Sequence, residues 1–259
     1  LACAAAAPYG VGNCDDWACL MEFLENGFPE PSDEYLRPTE FFNFENSKVA
    51  AFTDETVEDT SSDVEKSVKL FYAIRDSIRY DPYQMRAVAE HYTASYALTH
   101  GSSYCIPKAN LLVACARRAG IPAAIGLSDV TNHMCTERLQ KIIGDTDLFP
   151  HHGYAVMLLD GVWIKAAPAF NIHLCDKFDV TPTEFDGRHD ALLQEFDKHG
   201  RKHMEYVRDN GIWSDFPYER VHQDFVEFYP ITIFDDLARE RALNEAKKAR
   251  QFEDEKPLT

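Results

Sequence analysis

The chain has 259 residues, of which 45% are hydrophobic and 12% aromatic, so it is long enough for one large globular domain or two small ones. Its formal net charge of −17 argues against nucleic acid or an anionic membrane as a partner, because binding to either depends on basic residues. No run approaches the roughly 20 consecutive apolar residues that a membrane span requires. We therefore expect a globular protein with neither kind of partner.

The seven cysteines are odd in number and irregularly spaced. A disulfide framework is not expected in a chain of this length, which favours a reducing, cytoplasmic location. The small apolar stretch at residues 2–7 has no basic segment before it and is not typical of a signal peptide. Residues 1–20 are expected to be irregular.

Residues 1–60 are interpreted as an N-terminal extension packed on the core, because residues 21–60 mix aromatic residues with prolines and carboxylates. A helix is then expected from Ser62, whose spacing to Glu65 is that of a capping box, up to Asp81-Pro82. A second helical stretch is predicted over residues 84–96, followed by a loop over residues 97–104.

A largely apolar helix is predicted from Cys105 to about Ala119. Pro107 suits its first turn, apolar residues recur at helical spacing, and Gly120 closes it. The sulfur of Cys105 then lies at a helix N-terminus, where unpaired N–H groups and the helix dipole favour a thiolate over a thiol. Lys108, Arg117 and Arg118 are interpreted as charges on the helix surface.

A β-hairpin is predicted at residues 154–159 and 162–167, two apolar runs separated by Asp160-Gly161. A short buried strand is expected at residues 123–127, and a helical turn at residues 137–143 within a long connection. Residues 61–230 are interpreted as the catalytic domain. A helix is predicted at residues 190–210, and a charged C-terminal helix within residues 231–259.

The hairpin suggests a partner for the cysteine. With a two-residue turn, His152 would lie opposite Ala169 and share a face with Asn171. A cysteine nucleophile needs a base, which in turn needs an orienting group, and Cys–His–Asn is one combination that performs acyl transfer. The alternatives are a solvated histidine at a strand end and an asparagine that caps its own backbone.

Cys105 begins a helix that ends Arg117-Arg118-Ala119-Gly120-Ile121-Pro122. His152-Gly153-Tyr154 begins a hairpin with Trp163 on its return strand. In these two features the chain resembles the transglutaminase-like superfamily. Residues 74–81 also look like the helix that precedes the cysteine in that family. The resemblance covers roughly residues 64–175 and is closest to bacterial and fungal members. It implies an α+β, papain-like core, in which the cysteine-bearing helix packs on an antiparallel sheet, with extra helices.

The resemblance implies attack of Cys105 on an amide or ester carbonyl, with His152 as general base and then acid, and with transfer of the acyl group to water or to an amine. No cofactor is implied; the partner is an amide- or peptide-bearing substrate. Members usually carry an aspartate before a proline on the return strand, and Ala167 stands there instead. Asn171 is the candidate replacement; the alternatives are a Cys–His dyad and an inactive binding module.

Three further residues are candidate substrate contacts: Tyr104, Trp163 and His133. Each also has a structural interpretation. Tyr104 would be a half-buried packing residue, Trp163 would pack in the core against the cysteine-bearing helix, and His133 would lie in a solvated loop. A metal site using His133, Cys135, His151 and His152, or Cys175 with His173, is a weaker alternative, because these spacings match no standard zinc pattern.

Overall fold

The computed structural model describes residues 27–133, 135–230 and 252–257. The chain divides between Pro31 and Ser32, and every element below lies after that division. The described helices are α1 (Ser47–Val57), α2 (Asp63–Ser77), α3 (Ala94–His100), α4 (Cys105–Arg118), α5 (Glu137–Ile143), α6 (Ile172–Phe178) and α7 (Tyr218–Phe228). The described strands are β1 (Arg79–Tyr80), β2 (Ser102–Ser103), β3 (Ala123–Asn132), β4 (Leu148–Leu159), β5 (Val162–Ala166) and β6 (Met204–Trp213).

A four-stranded antiparallel sheet in the order β5-β4-β3-β6 forms the centre of the fold, and α4 packs on β3 and β4. All of α4 except its last residue, Arg118, is buried, as expected of a helix that is apolar around most of its circumference. The helices α1, α2 and α3 cover α4. The expected α+β core, with a cysteine-bearing helix on an antiparallel sheet, is therefore confirmed.

Local signals placed several elements correctly. Ser62 accepts a hydrogen bond from the Glu65 N–H at 3.2 Å and caps α2, while the Asp160-Gly161 turn joins β4 to β5. Both turn residues have positive φ, 48° and 80°, as a two-residue hairpin turn requires. The helical turn at residues 137–143 forms α5, and the expected strand at 123–127 extends to Asn132.

Several predicted segments were wrong. Residues 47–57 form helix α1, capped by Asn46, within the N-terminal extension, for which no helix was predicted. The predicted helix at 84–96 is replaced by 3₁₀ turns at Pro82–Gln84 and Ala89–Tyr92, and α3 occupies part of the expected loop.

The predicted helix at 190–210 is instead an irregular stretch followed by β6. The Asp197 carboxylate accepts from the backbone N–H groups of His199 and Arg201, which stabilises a turn in place of a helix. Gly200, with φ of 76°, lies in the same turn. The predicted C-terminal helix within residues 231–259 falls mostly outside the described residues, and the described part of that range, residues 252–257, contains a 3₁₀ turn at Phe252–Asp254. No helix within the described ranges is long and apolar enough to cross a membrane.

Candidate active site

Cys105 is the first residue of α4 and follows Tyr104, which adopts an extended conformation at the N-cap. The chain reaches this point from β2, which pairs in parallel with β1. The sulfur thus lies at a helix N-terminus, as the sequence predicts. Its side chain is buried, with the residue only 9% exposed.

The strand β4 approaches the start of α4 at Gly153. A Cβ on this residue would lie 2.9 Å from the Ile106 Cα, so only glycine permits the approach. The backbone N–H groups of Gly153, Ile106 and Cys105 act to lower the pKa of the Cys105 thiol, which favours the thiolate. Burial outweighs them and raises the pKa of Cys105 to about 11. The expectation of a lowered cysteine pKa is therefore wrong, because the helix start is buried.

His152 lies on β4 opposite Ser128 of β3, and it lines the same cavity as Cys105. Its ring is near-perpendicular to that of Tyr206, with the ring centres 5.8 Å apart. Burial lowers the pKa of His152 to about 4, and its Nε2 has no hydrogen-bond partner among the described residues. At neutral pH the site therefore holds a thiol and a neutral imidazole.

The residue before it, His151, is fixed by a network that sequence reasoning missed. The β3–β4 register shifts beside it, which marks a β-bulge, and its φ is 56°. Its Nε2 donates to the Asp224 carboxylate on α7 at 2.6 Å, and its backbone N–H donates to Asp129 at 3.1 Å. Asp129 also accepts from Asn210 of β6. No local signal reveals this network, because Asp224 is 73 residues away in the chain.

Asn171 does not orient His152. Its amide oxygen accepts from the Tyr80 backbone N–H at 2.9 Å, and its amide nitrogen donates to Glu253 at 3.0 Å. The hairpin pairing ends at Ala155 and Ala166, so the extrapolated register that placed residues 152 and 171 on one face does not hold. Asn171 instead joins β1 to the turn at residues 252–254.

The three candidate substrate contacts lie in different surroundings. Tyr104 lines the cavity and is buried. Trp163 is buried in the core, where its ring packs edge-on against Tyr35, with the ring centres 5.4 Å apart. The His133 Nε2 lies 3.3 Å from a Glu205 carboxylate oxygen on the surface. Neither Trp163 nor His133 is among the described residues that line the cavity.

Two cations of α4 are buried, which corrects their interpretation as surface charges. The Lys108 ammonium donates to the carbonyls of Arg75 and Ile78 at the end of α2, and burial lowers the pKa of Lys108 to about 7. The Arg117 guanidinium donates to three backbone carbonyls, and burial lowers the pKa of Arg117 to about 10. Arg118 alone is a surface cation and pairs with Asp54.

Within the described ranges, no three His, Cys, Asp or Glu side chains form a group that could hold a metal ion. The candidate ligand His133 pairs with Glu205, and His151 pairs with Asp224.

Comparison with known proteins agrees with this geometry. The family model of the transglutaminase-like superfamily matches residues 50–168, which include Cys105 and His152. No curated protein matches the chain significantly.

Two solved structures are similar to parts of the chain. A candidate cysteine protease from Cytophaga hutchinsonii has 14% identity and a TM-score of 0.43, over 70% of this chain and 46% of that one. A candidate protease from Parabacteroides distasonis ATCC 8503 has 17% identity and a TM-score of 0.34, over 53% of this chain and 26% of that one. The chain thus spans less than half the length of either. Residues 50–168 of this chain form a domain of the transglutaminase-like superfamily.

Proposed function

We propose that the protein catalyses acyl transfer from an amide or ester to water or an amine, with Cys105 as nucleophile and His152 as general base and acid. One observation carries the proposal: β4 makes its close approach to the start of α4 at Gly153, next to His152, and Cys105 and His152 line one cavity. Nucleophile and base are thereby held at one point of the fold.

The resting site is neutral, so the proton must move during attack. As the sulfur attacks the carbonyl carbon, the thiol proton passes to Nε2 of His152 and a C–S bond forms. The C–N or C–O bond then breaks, and the proton passes to the leaving amine or alcohol. Water or an amine, deprotonated by His152, next attacks the thioester. The acyl product leaves, and the proton returns to the sulfur.

The network around His151 takes the place of a third catalytic residue. Ala167 stands where the family usually carries an aspartate, and its methyl group cannot form a hydrogen bond with the His152 imidazole. The β-bulge, held by Asp224 and Asp129, instead fixes the backbone from which His152 projects. Asp224 and Asp129 are positioning residues, and neither touches His152 directly in the described hydrogen bonds.

Two observations favour an inactive binding module as the second candidate. Ala167 is buried at the position where the family usually carries an aspartate, and the pKa of Cys105 is raised to about 11. A site with these properties still binds an amide or ester in its cavity without turning it over. The two candidates differ in whether a covalent intermediate forms.

The test measures release of p-nitrophenol from p-nitrophenyl acetate by the purified protein and by Cys105→Ala. The matched control is Cys115→Ala, because Cys115 is a buried cysteine of the same helix and is absent from the described cavity lining. We expect Cys105→Ala to remove turnover and Cys115→Ala to retain it. Equal release by the wild type and Cys105→Ala would contradict the proposal and favour the binding module.

A further inference from the structure

The cavity that contains Cys105 is lined almost entirely by apolar and aromatic side chains. They include Leu139, Phe170, Phe178, Phe225 and Phe252. Among the described lining residues there is no Asp, Glu, Lys or Arg, although the chain carries a net charge of −17. The charged partner of His151, Asp224, lies outside the lining. A charged group entering the cavity would lose its hydration without gaining a formal countercharge.

Four ionisable groups of the lining are also held uncharged. Burial raises the pKa of Cys105 and of Tyr229, and it lowers the pKa of both His152 and His203 to about 4. These directions agree with a site of low polarity. The uncharged state of these groups adds to the absence of charged side chains in the lining, and both disfavour a charged ligand.

The cavity measures about 50 Å³, which is room for about four water molecules. That space suits a short or branched alkyl group and is too small for a long chain without movement of the lining. Cys105 lines this space, so a carbonyl carbon bonded to its sulfur would extend its acyl substituent into it.

Four polar atoms of the lining lack hydrogen-bond partners within the part of the chain that is described. They are Nε2 of His152, Nδ1 of His203 and the hydroxyls of Tyr104 and Tyr229, all on residues that are more than nine-tenths buried. Buried polar atoms are normally satisfied, so these four indicate a ligand with polar atoms of its own. An apolar cavity with a few convergent polar groups is the usual form of a small-molecule site.

From these observations we propose that the cavity is an acyl pocket, and that Cys105 acts on neutral amides or esters whose acyl group is a short, uncharged alkyl chain. The inference rests on the proposed function and specifies its substrate class. Acyl groups that carry a carboxylate or an ammonium are excluded. The amine or alcohol portion of the substrate lies outside the pocket and is not specified.

The first experiment compares kcat/KM for p-nitrophenyl acetate, butyrate, octanoate and hemisuccinate, each divided by its rate with hydroxide. Butyrate and hemisuccinate are matched in chain length and differ by one carboxylate. Each buried methylene should raise kcat/KM about fourfold, so butyrate should exceed acetate roughly 15-fold. Octanoate should not exceed butyrate, and hemisuccinate should fall below acetate. A hemisuccinate value equal to that of butyrate would overturn the proposal.

The second experiment changes the size of the pocket. Phe178→Leu enlarges it, whereas Phe185→Leu makes the same change at a buried phenylalanine that is absent from the described lining. The octanoate-to-butyrate ratio of kcat/KM should rise severalfold in Phe178→Leu and stay unchanged in Phe185→Leu. Circular dichroism checks that both variants are folded. An unchanged ratio in both folded variants overturns the proposed pocket.

Alkylation separates failure of the pocket from failure of the proposed function, because it needs no turnover. Iodoacetamide and iodoacetate differ in one charge, and their rates at Cys105 are read by peptide mass spectrometry and divided by the rates for the unfolded chain. The pocket predicts at least tenfold preference for iodoacetamide. If iodoacetamide is still preferred over iodoacetate but no ester is turned over, acyl transfer is refuted and the proposed pocket is retained. Loss of the preference would refute the pocket whether or not esters are hydrolysed.

Discussion

The Nε2 of His151 donates to the Asp224 carboxylate across 2.6 Å, joining helix α7 to the β-bulge that precedes His152. The bond holds His151 at a φ of 56°, a conformation that a residue with a Cβ seldom adopts. A strained residue beside a candidate general base is typical of a site whose geometry is fixed from outside.

Replacement of Asp224 should therefore impair catalysis through position. We expect Asp224→Ala to lower kcat by on the order of tenfold to a hundredfold, because a shift of about 1 Å in a catalytic group costs up to that much. Asp224→Asn keeps an acceptor for His151 and should recover most of the activity. Steady-state kinetics with a neutral ester measures both variants. Glu227→Ala, an exposed change on the same helix, is the control, and equal losses in Glu227→Ala and Asp224→Ala would refute the positioning role.

The buried histidines should make the protein sensitive to acid. Burial lowers the pKa of His203 from its ordinary 6.5 to about 4, so between these values the unfolded chain binds more protons than the folded one. Its contribution to stability is complete above pH 6.5 and is lost as pH falls towards 4. The loss is about 3 kcal/mol, from 1.36 kcal/mol per pKa unit.

Urea unfolding of the wild type and His203→Gln from pH 8 to pH 4 measures this contribution. The variant should lose less stability over the range than the wild type does. The same comparison for His152→Gln should give a similar result, because burial lowers the pKa of His152 by a similar amount. Parallel pH curves for the wild type and both variants would show that neither histidine is buried as described.

Arg117 should contribute far more to stability than its neighbour Arg118. The Arg117 guanidinium donates to the carbonyls of Ala123, Arg37 and Ser214, and Arg117→Met would leave these acceptors without it. We expect a loss of about 3–5 kcal/mol in the free energy of unfolding. Arg118→Met breaks only the exposed pair with Asp54 and should cost under about 1 kcal/mol. Denaturant unfolding of both variants decides the matter, and similar losses would contradict it.

Gly153 should be required for the geometry of the sulfur. In Gly153→Ala the new Cβ would lie 2.9 Å from the Ile106 Cα, so α4 or β4 must move, at about 1–3 kcal/mol. Gly126→Ala is the control, since its Cβ would meet the Tyr154 ring. Both variants should be less stable, as measured by thermal unfolding. Only Gly153→Ala should change the alkylation rate of Cys105, and an unchanged rate in that variant would argue against the close approach.

Much of the fold could be predicted from local signals. The Asp160-Gly161 pair specifies a hairpin turn, and the apolar run after Cys105 specifies a helix, because neighbouring residues determine each. The strand β6 could not be predicted in the same way. Its partner is β3, more than 70 residues earlier, and the apolar residues before it mimic helical spacing.

The candidate site, like the fold, could be predicted only in the parts that depend on neighbouring residues. Cys105 and His152 could be located from the sequence, because each lies in a recognisable segment. The direction of the cysteine pKa could not, since it depends on burial by elements distant in the chain. The role assigned to Asn171 failed because the hairpin pairing ends at Ala166, before the extrapolated register reaches that residue. The contact of Asp224 with His151 is tertiary and leaves no trace in the spacing.

Trapping of the acyl-enzyme tests the central claim most directly. The protein is mixed with p-nitrophenyl butyrate, quenched in acid and mapped by peptide mass spectrometry, with Cys115→Ala as a control and His152→Gln as a slowed variant. We predict a butyryl group on Cys105 that forms in the wild type and in Cys115→Ala and forms more slowly in His152→Gln. Absence of the butyryl group from Cys105, or equal rates with and without His152, would contradict the assignment of Cys105 as nucleophile and His152 as its base.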